Sequence, residues 1–260
     1  MMPARKWPRL LARVLPGAVH RQLGSRVMGE SYRPPAGKFD FGSFRRIAPV
    51  SRQFGYDRGL PIDRYYIENW LGRRALDVRG SVLEAGDDSY TRRFGGDRVD
   101  SRHVLHLFSG TGGATLVADL SDGARLPSGA FDCVILVQTL HLVYEVRTAI
   151  RTIHRILRPD GVLLATFPGI SQRSDDEWAA YWCWSFTPLS AGKLFAEVFE
   201  PGAVTVESHG NVLAAVSFLE GLAAAELSPE ELKANDPAYP LVVAVRAVKS
   251  ERSDTGSGHV

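Results

Sequence analysis

The chain has 260 residues, of which 45% are hydrophobic and 23% are charged, so it is long enough for one large soluble domain with a substantial core. Its formal net charge of +2 argues against a protein that binds nucleic acid through an overall positive field. Its apolar runs are shorter than the about 20 residues that a membrane-spanning helix requires.

The first 45 residues are expected to form a basic N-terminal arm. Several basic residues precede the first acid, Glu30, and apolar residues between them fall at helical spacing. The basic residues are Arg5, Lys6, Arg9, Arg13, Arg21 and Arg26. Residues 1–26 therefore predict either an amphipathic helix that makes weak contact with an anionic membrane surface or a partner, or a solvated arm that packs on the domain or frays.

A Rossmann-like domain is expected over residues 46–250, followed by a disordered tail at 251–260. Little regular structure is expected up to Pro61, which opens a helix whose apolar face includes Tyr66 and Trp70. Strands then alternate with helices. The predicted strands are 81–86, 103–108, 114–120, 131–138, 162–168, 203–209 and 241–249, and the predicted helices are 144–157, 188–199 and two after residue 212. This alternation favours an α/β fold with a doubly wound, mostly parallel sheet.

Chemically useful residues cluster where these strands end, which is where doubly wound sheets bind ligands. They are Glu84, Gly86 and Asp87 after the first strand, His106 and Phe108 after the second, Asp119 after the third, and Gln138, Thr139 and His141 after the fourth. The glycine-rich turn of a nucleotide site is replaced by a polar turn, Asp87-Asp88-Ser89-Tyr90. The segment SGTGG (109–113) lacks the Lys-Ser/Thr pair of a phosphate loop and is interpreted as a plain loop.

The run VADLSDGARLPSGAFDCVILVQTLHLVYEVRTAIRTIHRILRPDGVLLATFPG resembles the central part of class I methyltransferases that use S-adenosylmethionine. Leu126-Pro127, Phe131-Asp132 and the Arg155–Gly161 turn carry the resemblance, which implies a seven-stranded sheet with an antiparallel last strand. FGYDRGLPIDRYYIE and VLEAGDDSYTRRFGG resemble a bacterial subgroup with the same altered first loop, which is often associated with glycosyltransferases and polysaccharide functions.

The resemblance also implies roles for the strand ends. Glu84 corresponds to an acid near the amino-acid end of the cofactor, and Gly86 lets the backbone approach it. Asp119 corresponds to the acid that faces the adenine amino group, Leu120 would offer its N–H to the ring, and Gln138 would lie near the methionine part. Asp87 and Tyr90 are predicted to line the part of the pocket that holds the methionine end of the cofactor. Each acid could instead cap nearby backbone amides, and the ribose partner stays open between His106 and Phe108.

The acceptor side is predicted from the aromatic segment 175–186 and from one histidine. His141 is the candidate general base, although it could simply pack at a helix start. Tyr181, Trp182 and Trp184 could stack on an acceptor or pack the next helix on the sheet. Arg64 could close the pocket or join a structural ion-pair network.

The sequence thus predicts methyl transfer from S-adenosylmethionine to a small-molecule or glycan acceptor, with O-methylation of a sugar or natural-product hydroxyl favoured. The alternatives are an inactive, repurposed binding protein of the same fold and a peripheral membrane adaptor. Neither a metal site nor a nucleic-acid partner is expected, and the oligomeric state stays open. Cys133 and Cys183 are expected to be buried, reduced thiols, which favours a cytoplasmic location.

Overall fold

A computed structural model of the protein describes residues 33–110 and 113–250. The chain divides into two units, Met1–Ala48 and Pro49–Val260. In the described part of the first unit, a 3₁₀ turn spans Gly42–Phe44, and the rings of Phe39 and Phe41 meet edge to face at 4.9 Å. The predicted amphipathic helix within 1–26 and the predicted tail at 251–260 lie outside the described residues.

The second unit alternates strands and helices. Its helices are α1 (Ile62–Arg73), α2 (Val146–Ile156), α3 (Pro188–Ala196), α4 (Val212–Leu219) and α5 (Pro229–Lys233). Its strands are β1 (Gly80–Ala85), β2 (Val99–His106), β3 (Leu116–Val117), β4 (Phe131–Val137), β5 (Leu157–Pro168), β6 (Val204–His209) and β7 (Val242–Val248).

The strands form one seven-stranded sheet in the order β3-β2-β1-β4-β5-β7-β6. The pairs from β3 through β5 are parallel, whereas β7 runs antiparallel to both of its neighbours, β5 and β6. The predicted doubly wound sheet with an antiparallel last strand is therefore confirmed. The strand order reverses between β1 and β4, and a sheet of this kind opens a ligand crevice at such a switch point.

Each face of the sheet carries its own apolar core, because successive side chains of a strand point to opposite faces. On one face, Val134 of β4 packs in a cluster with Ile150 of α2 and Phe195 of α3. On the other face, Ile135 packs in a cluster with Trp70 of α1 and Phe218 of α4. The sheet is thus covered by helices on both faces, as its Val- and Leu-rich strands require.

Local signals in the sequence explain where several helices begin. Thr187 caps α3 by accepting a hydrogen bond from the Ser190 N–H, and Pro188 occupies the first turn, as predicted. Asn211 caps α4 and Ser228 caps α5 in the same way.

Several predicted elements differ in the structure. The strand expected at 162–168 already begins at Leu157, so part of the predicted Arg155–Gly161 turn lies within β5. The strand expected at 114–120 is only Leu116–Val117, because β3 is an edge strand with the single neighbour β2. The strand expected at 103–108 already begins at Val99 and ends at His106. The stretch expected to be irregular after β1 instead contains a π-helical turn, Thr91–Gly95, followed by a 3₁₀ turn, Gly96–Arg98. These short turns are fixed by tertiary contacts and leave no periodic signal in the sequence.

Candidate functional site

A cavity of about 980 Å³ lies beyond the carboxyl ends of the parallel strands. Its lining includes residues that follow β1, β2, β3 and β4, together with residues from the irregular segments 52–56 and 171–183. Its volume lies near the upper end of the range of about 300–1,000 Å³ that is usual for ligand pockets, which leaves room for two small molecules side by side.

Gly86 and His106 form the part of the cavity where β1 and β2 end. Gly86 has a φ of +94°, and a Cβ placed there would meet no protein atom within 4 Å. The backbone is therefore open to a ligand at a conformation that other residues rarely adopt. The imidazole Nε2 of His106 pairs with the carbonyl oxygen of Gly86, so the two strand ends are tied together.

Asp119 and Leu120 line the cavity at the end of β3. The Asp119 side chain accepts hydrogen bonds of 2.7 Å from both the N–H and the hydroxyl of Ser121, which fixes the orientation of its carboxylate. Leu120 is 5% exposed and gives this end of the cavity an apolar surface. An apolar wall beside a fixed acceptor suits a planar heterocycle that carries an amino group.

Glu84 does not line the cavity, although it lies at the end of β1. Its side chain is 2% exposed, and its carboxylate accepts bonds from the N–H of Tyr90 and from the N–H and hydroxyl of Thr91. Burial raises the pKa of Glu84 to about 7, while these three donors act in the opposite direction. Glu84 therefore anchors the start of the π-helical turn within this structure.

Asp87 and Tyr90 also lie behind the cavity lining rather than in it. Asp87 is exposed and accepts a hydrogen bond from the Ser89 N–H, as the first residue of a tight turn. The Tyr90 hydroxyl accepts a bond of 3.1 Å from the guanidinium of Arg64, which does line the cavity. The Arg64 guanidinium also lies 3.8 Å from Asp63 and opposes the rise in the pKa of Asp63 that burial causes.

Gln138 and His141 line the cavity where β4 ends. Gln138 has a φ of +47°, a strained conformation for a residue other than glycine, and such strain occurs most often at functional sites. His141 is 2% exposed, and its Nδ1 has no hydrogen-bond partner among the described residues. Burial, helped by the positive charge of Arg64, lowers the pKa of His141 to about 4, so the imidazole is neutral near pH 7.

Aromatic side chains form one wall of the cavity. The ring of Trp182 meets His141 edge to face at 4.3 Å and stacks on Phe54 at 6.4 Å. Tyr181 and Trp178, each 37% exposed, lie 6.0 Å apart, centroid to centroid. We call Tyr144, Trp178, Tyr181 and Trp182 the aromatic wall.

Trp184 and Cys183 lie in the same segment as most of the aromatic wall. Trp184 does not line the cavity: its indole N–H donates to the Val143 carbonyl, and its ring stacks at 5.8 Å on Tyr144, which it supports from behind. Cys133 is buried as expected, but Cys183 is exposed, so the prediction of a buried thiol was wrong for Cys183. Its place in an irregular segment at the cavity explains the exposure.

Sequence reasoning missed part of the lining. Arg52, Phe54 and Tyr56 reach the cavity from a segment in which only irregular structure was expected. Asp175 and Asp176 reach it from the segment 175–186, in which only aromatic residues were predicted to face an acceptor. Irregular segments carry no periodicity from which their contacts could be inferred. The run FGYDRGLP, rich in glycine and aromatic residues, was the one signal in the first segment.

Residues 97–165 match the family model described as a methyltransferase domain. The match runs from just before β2 into β5, and the strands that it covers provide the cavity with the ends of β2, β3 and β4. Over these residues the chain is therefore similar to a methyltransferase domain. Its sheet order and its antiparallel last strand agree with that similarity.

Solved structures offer distant likenesses. A S-adenosylmethionine-dependent methyltransferase from Mesorhizobium loti is 17% identical, with a TM-score of 0.49, over 75% of this chain and 100% of that chain. The N-methyltransferase NodS from Bradyrhizobium japonicum, in complex with S-adenosylhomocysteine, is 13% identical, with a TM-score of 0.46, over 78% of this chain and 97% of that chain. Likenesses at this level do not define an acceptor. No curated protein matches the chain.

The lining of the cavity suits S-adenosylmethionine chemically. An open backbone at Gly86, a fixed carboxylate at Asp119 and the apolar Leu120 are spread over the ends of neighbouring strands. Such a set suits a ligand that has a purine at one end and an amino acid at the other.

Among the described residues, no helix is both long and apolar enough to cross a bilayer.

Proposed function

We propose that the protein transfers the methyl group of S-adenosylmethionine to a hydroxyl of a sugar, a glycan or a natural product. The observation that carries this proposal is that two chemically different sets of residues line one cavity, and we call the parts that they line its two halves. The half beyond β1 to β3 offers Gly86 and Asp119, whereas the half beyond β4 and β5 offers His141 and the aromatic wall. A cofactor in the first half and an acceptor in the second would meet near Gln138.

In this proposal the first half holds the cofactor. The Asp119 carboxylate accepts a hydrogen bond from the adenine amino group, and the Leu120 N–H faces the ring. The Gly86 backbone runs beside the amino-acid end, with His106 at the position expected for the ribose. Glu84 acts indirectly, because its carboxylate holds the turn that begins at Tyr90 and Thr91.

The second half orients the acceptor. Aromatic faces suit the apolar faces of a pyranose or a planar natural product, and they exclude water from the reaction. The bound cofactor supplies an electrophilic methyl group. The neutral His141 imidazole accepts a hydrogen bond from the acceptor hydroxyl and takes its proton as the new C–O bond forms. A pKa of about 4 is adequate for that step, since the oxonium formed by alkylation is a far stronger acid than imidazolium.

Calorimetric titration with S-adenosylhomocysteine tests the cofactor half. We expect saturable binding that Asp119→Asn weakens and that Asp122→Asn leaves unchanged, because Asp122 is exposed and does not line the cavity. Losing one hydrogen bond to a charged acceptor should cost about 1.5–3 kcal/mol, or roughly tenfold to a hundredfold in affinity. Absence of binding would refute the proposal.

A transfer assay with methyl-labelled S-adenosylmethionine tests the acceptor half. The assay screens hydroxyl-bearing sugars, glycans and natural products, and mass spectrometry of the product distinguishes a methyl ether from a methylamine. His141→Phe keeps the ring contact with Trp182 and should lower turnover by about a hundredfold or more, with the affinity for S-adenosylhomocysteine retained. His154→Phe, on α2 and outside the cavity lining, is the matched control. A methylamine as the product would refute the O-methylation proposal.

A further inference from the structure

The acceptor half of the cavity is markedly acidic. Glu145, Asp175 and Asp176 line it beside the aromatic wall, and we call these three residues the acidic rim. None of them has an ion-pair partner among residues 33–110 and 113–250. A negatively charged pocket in a chain whose formal net charge is +2 is a local feature that the overall composition does not require.

The two arginines of the cavity offset this negative charge in part. Arg64 lies beside Asp63, with 3.8 Å between Nε and the carboxylate, and its guanidinium also donates to Tyr90. Arg52 remains as the second cation of the lining, against the acidic rim and Asp119. His141 adds no positive charge near pH 7, because burial lowers its pKa to about 4.

The buried histidine independently indicates that a polar ligand group belongs in this half. His141 is 2% exposed, its ring lines the cavity, and its Nδ1 lacks a hydrogen-bond partner among the described residues. Buried polar groups are nearly always paired, so an imidazole with an unpaired nitrogen in a residue that lines the cavity favours a polar ligand group in this half.

Resting on the proposed function, we propose that the acceptor carries a protonated amino group, which the acidic rim and the aromatic wall bind while a hydroxyl of the same molecule faces His141. Aromatic faces attract cations, Trp most strongly, and carboxylates beside them add a direct Coulomb attraction. Tyr144 is 70% exposed and Trp178 and Tyr181 are each 37% exposed, so these rings are accessible to such a group.

The same charges argue that the amino group is a recognition element rather than the atom methylated. Neighbouring carboxylates favour the charged form of an amine. An ammonium nitrogen has no lone pair and cannot attack the methyl group, whereas a neutral hydroxyl retains one. An amino sugar or an amine-bearing natural product would satisfy both requirements.

Matched probe pairs test this inference on the full chain. Glucosamine against N-acetylglucosamine, and 2-phenylethylamine against 2-phenylethanol, keep the scaffold and remove the charge. Binding is followed by tryptophan fluorescence, with and without saturating S-adenosylhomocysteine. We expect each amine to bind about tenfold more tightly than its neutral partner, because a cation–π contact and weak exposed ion pairs together favour binding of the amine.

Variants locate the effect. Glu145→Gln combined with Asp175→Asn should reduce the preference to about threefold or less, since two of the three rim charges are removed. Asp176 is left intact because its carboxylate caps the turn Glu177–Ala180 by accepting from the Trp178 N–H. Glu177→Gln, an exposed neighbour outside the lining, should leave the preference unchanged.

The outcomes separate this inference from the function on which it rests. If S-adenosylhomocysteine fails to bind, the proposed function is refuted. If S-adenosylhomocysteine binds but the amines bind no more tightly than their neutral partners, or do not bind, only the ammonium inference is overturned. A preference that the rim double variant leaves unchanged overturns it as well.

Discussion

His141 should make the stability of the protein depend on pH in a way that one substitution removes. Burial lowers the pKa of His141 from its ordinary value of 6.5 to about 4, with Arg64 contributing. The unfolded chain therefore binds a proton at a pH where the folded protein does not. The contribution of His141 to stability is complete above about pH 6.5 and is lost as the pH falls towards about 4.

The size of this loss follows from the two pKa values. The interval from 6.5 to 4 corresponds to about 3 kcal/mol, at about 1.4 kcal/mol for each pH unit. The side chain is 2% exposed, so little solvent screening reduces the figure. His141→Phe removes the titrating group and retains an aromatic ring against Trp182, whose centroid lies 4.3 Å from that of His141.

Urea denaturation followed by far-ultraviolet circular dichroism measures the effect. The free energy of unfolding of the unmodified protein minus that of His141→Phe should fall by about 3 kcal/mol between about pH 7 and about pH 4. A difference between the unmodified protein and His141→Phe that is constant over this range would refute the assignment of His141 as a buried, neutral imidazole.

Three further predictions concern the first strand and its turn. Burial raises the pKa of Glu84 from 4.5 to about 7, so its contribution to stability is present below about pH 4.5 and is lost as the pH rises through about 7. The difference in free energy of unfolding between the protein and Glu84→Gln should therefore change with pH in the opposite direction to that for His141→Phe. A change in the same direction would contradict this. Thr91→Val removes the hydrogen bond from the Thr91 hydroxyl to the Glu84 carboxylate. It should lower the free energy of unfolding by about 1.5–3 kcal/mol and the melting temperature by about 3–10 °C. An unchanged melting temperature in calorimetry would show that this hydrogen bond contributes nothing to stability. Gly86→Val places a branched side chain at a φ of +94° beside the cavity and should weaken S-adenosylhomocysteine binding by about tenfold or more in calorimetric titration; retained affinity would exclude the Gly86 backbone from the cofactor site.

The sheet was predictable because its strands are buried on both faces and read as apolar runs. Val134 and Ile135, adjacent in the sequence, lie in the two separate cores of the sheet, as the strand period requires. The resemblance to methyltransferases added the antiparallel last strand. What composition could not predict was the length of β3, since an edge strand ends where its one neighbour stops pairing.

The cofactor side of the site was most predictable where a residue follows a strand. Gly86, Asp119, Gln138 and His141 line the cavity because the carboxyl ends of parallel strands share one edge. The environment of Glu84 was not predictable: alternation places it on the same face of β1 as Val82, and there the N–H groups of the following turn surround its carboxylate.

The arrangement of the acceptor half could not be predicted in detail, because it depends on contacts between residues far apart in the sequence. Trp182 packs against Phe54 and His141, which lie far from it in the sequence, whereas Trp184, two residues later, turns away to support Tyr144. A run of aromatic residues without helical or strand periodicity indicates that rings are available, but it does not indicate which of them face a ligand.

A crystal structure of the full chain with S-adenosylhomocysteine tests the central claim most directly. The account predicts that the ligand occupies the cavity beyond β1 to β3, with adenine beside Asp119 and Leu120, the amino-acid end beside the Gly86 backbone, and the sulfur turned towards Gln138 and His141. A ligand bound outside this cavity, a ligand in the reverse orientation, or crystals soaked at saturating concentration that show no ligand would contradict it.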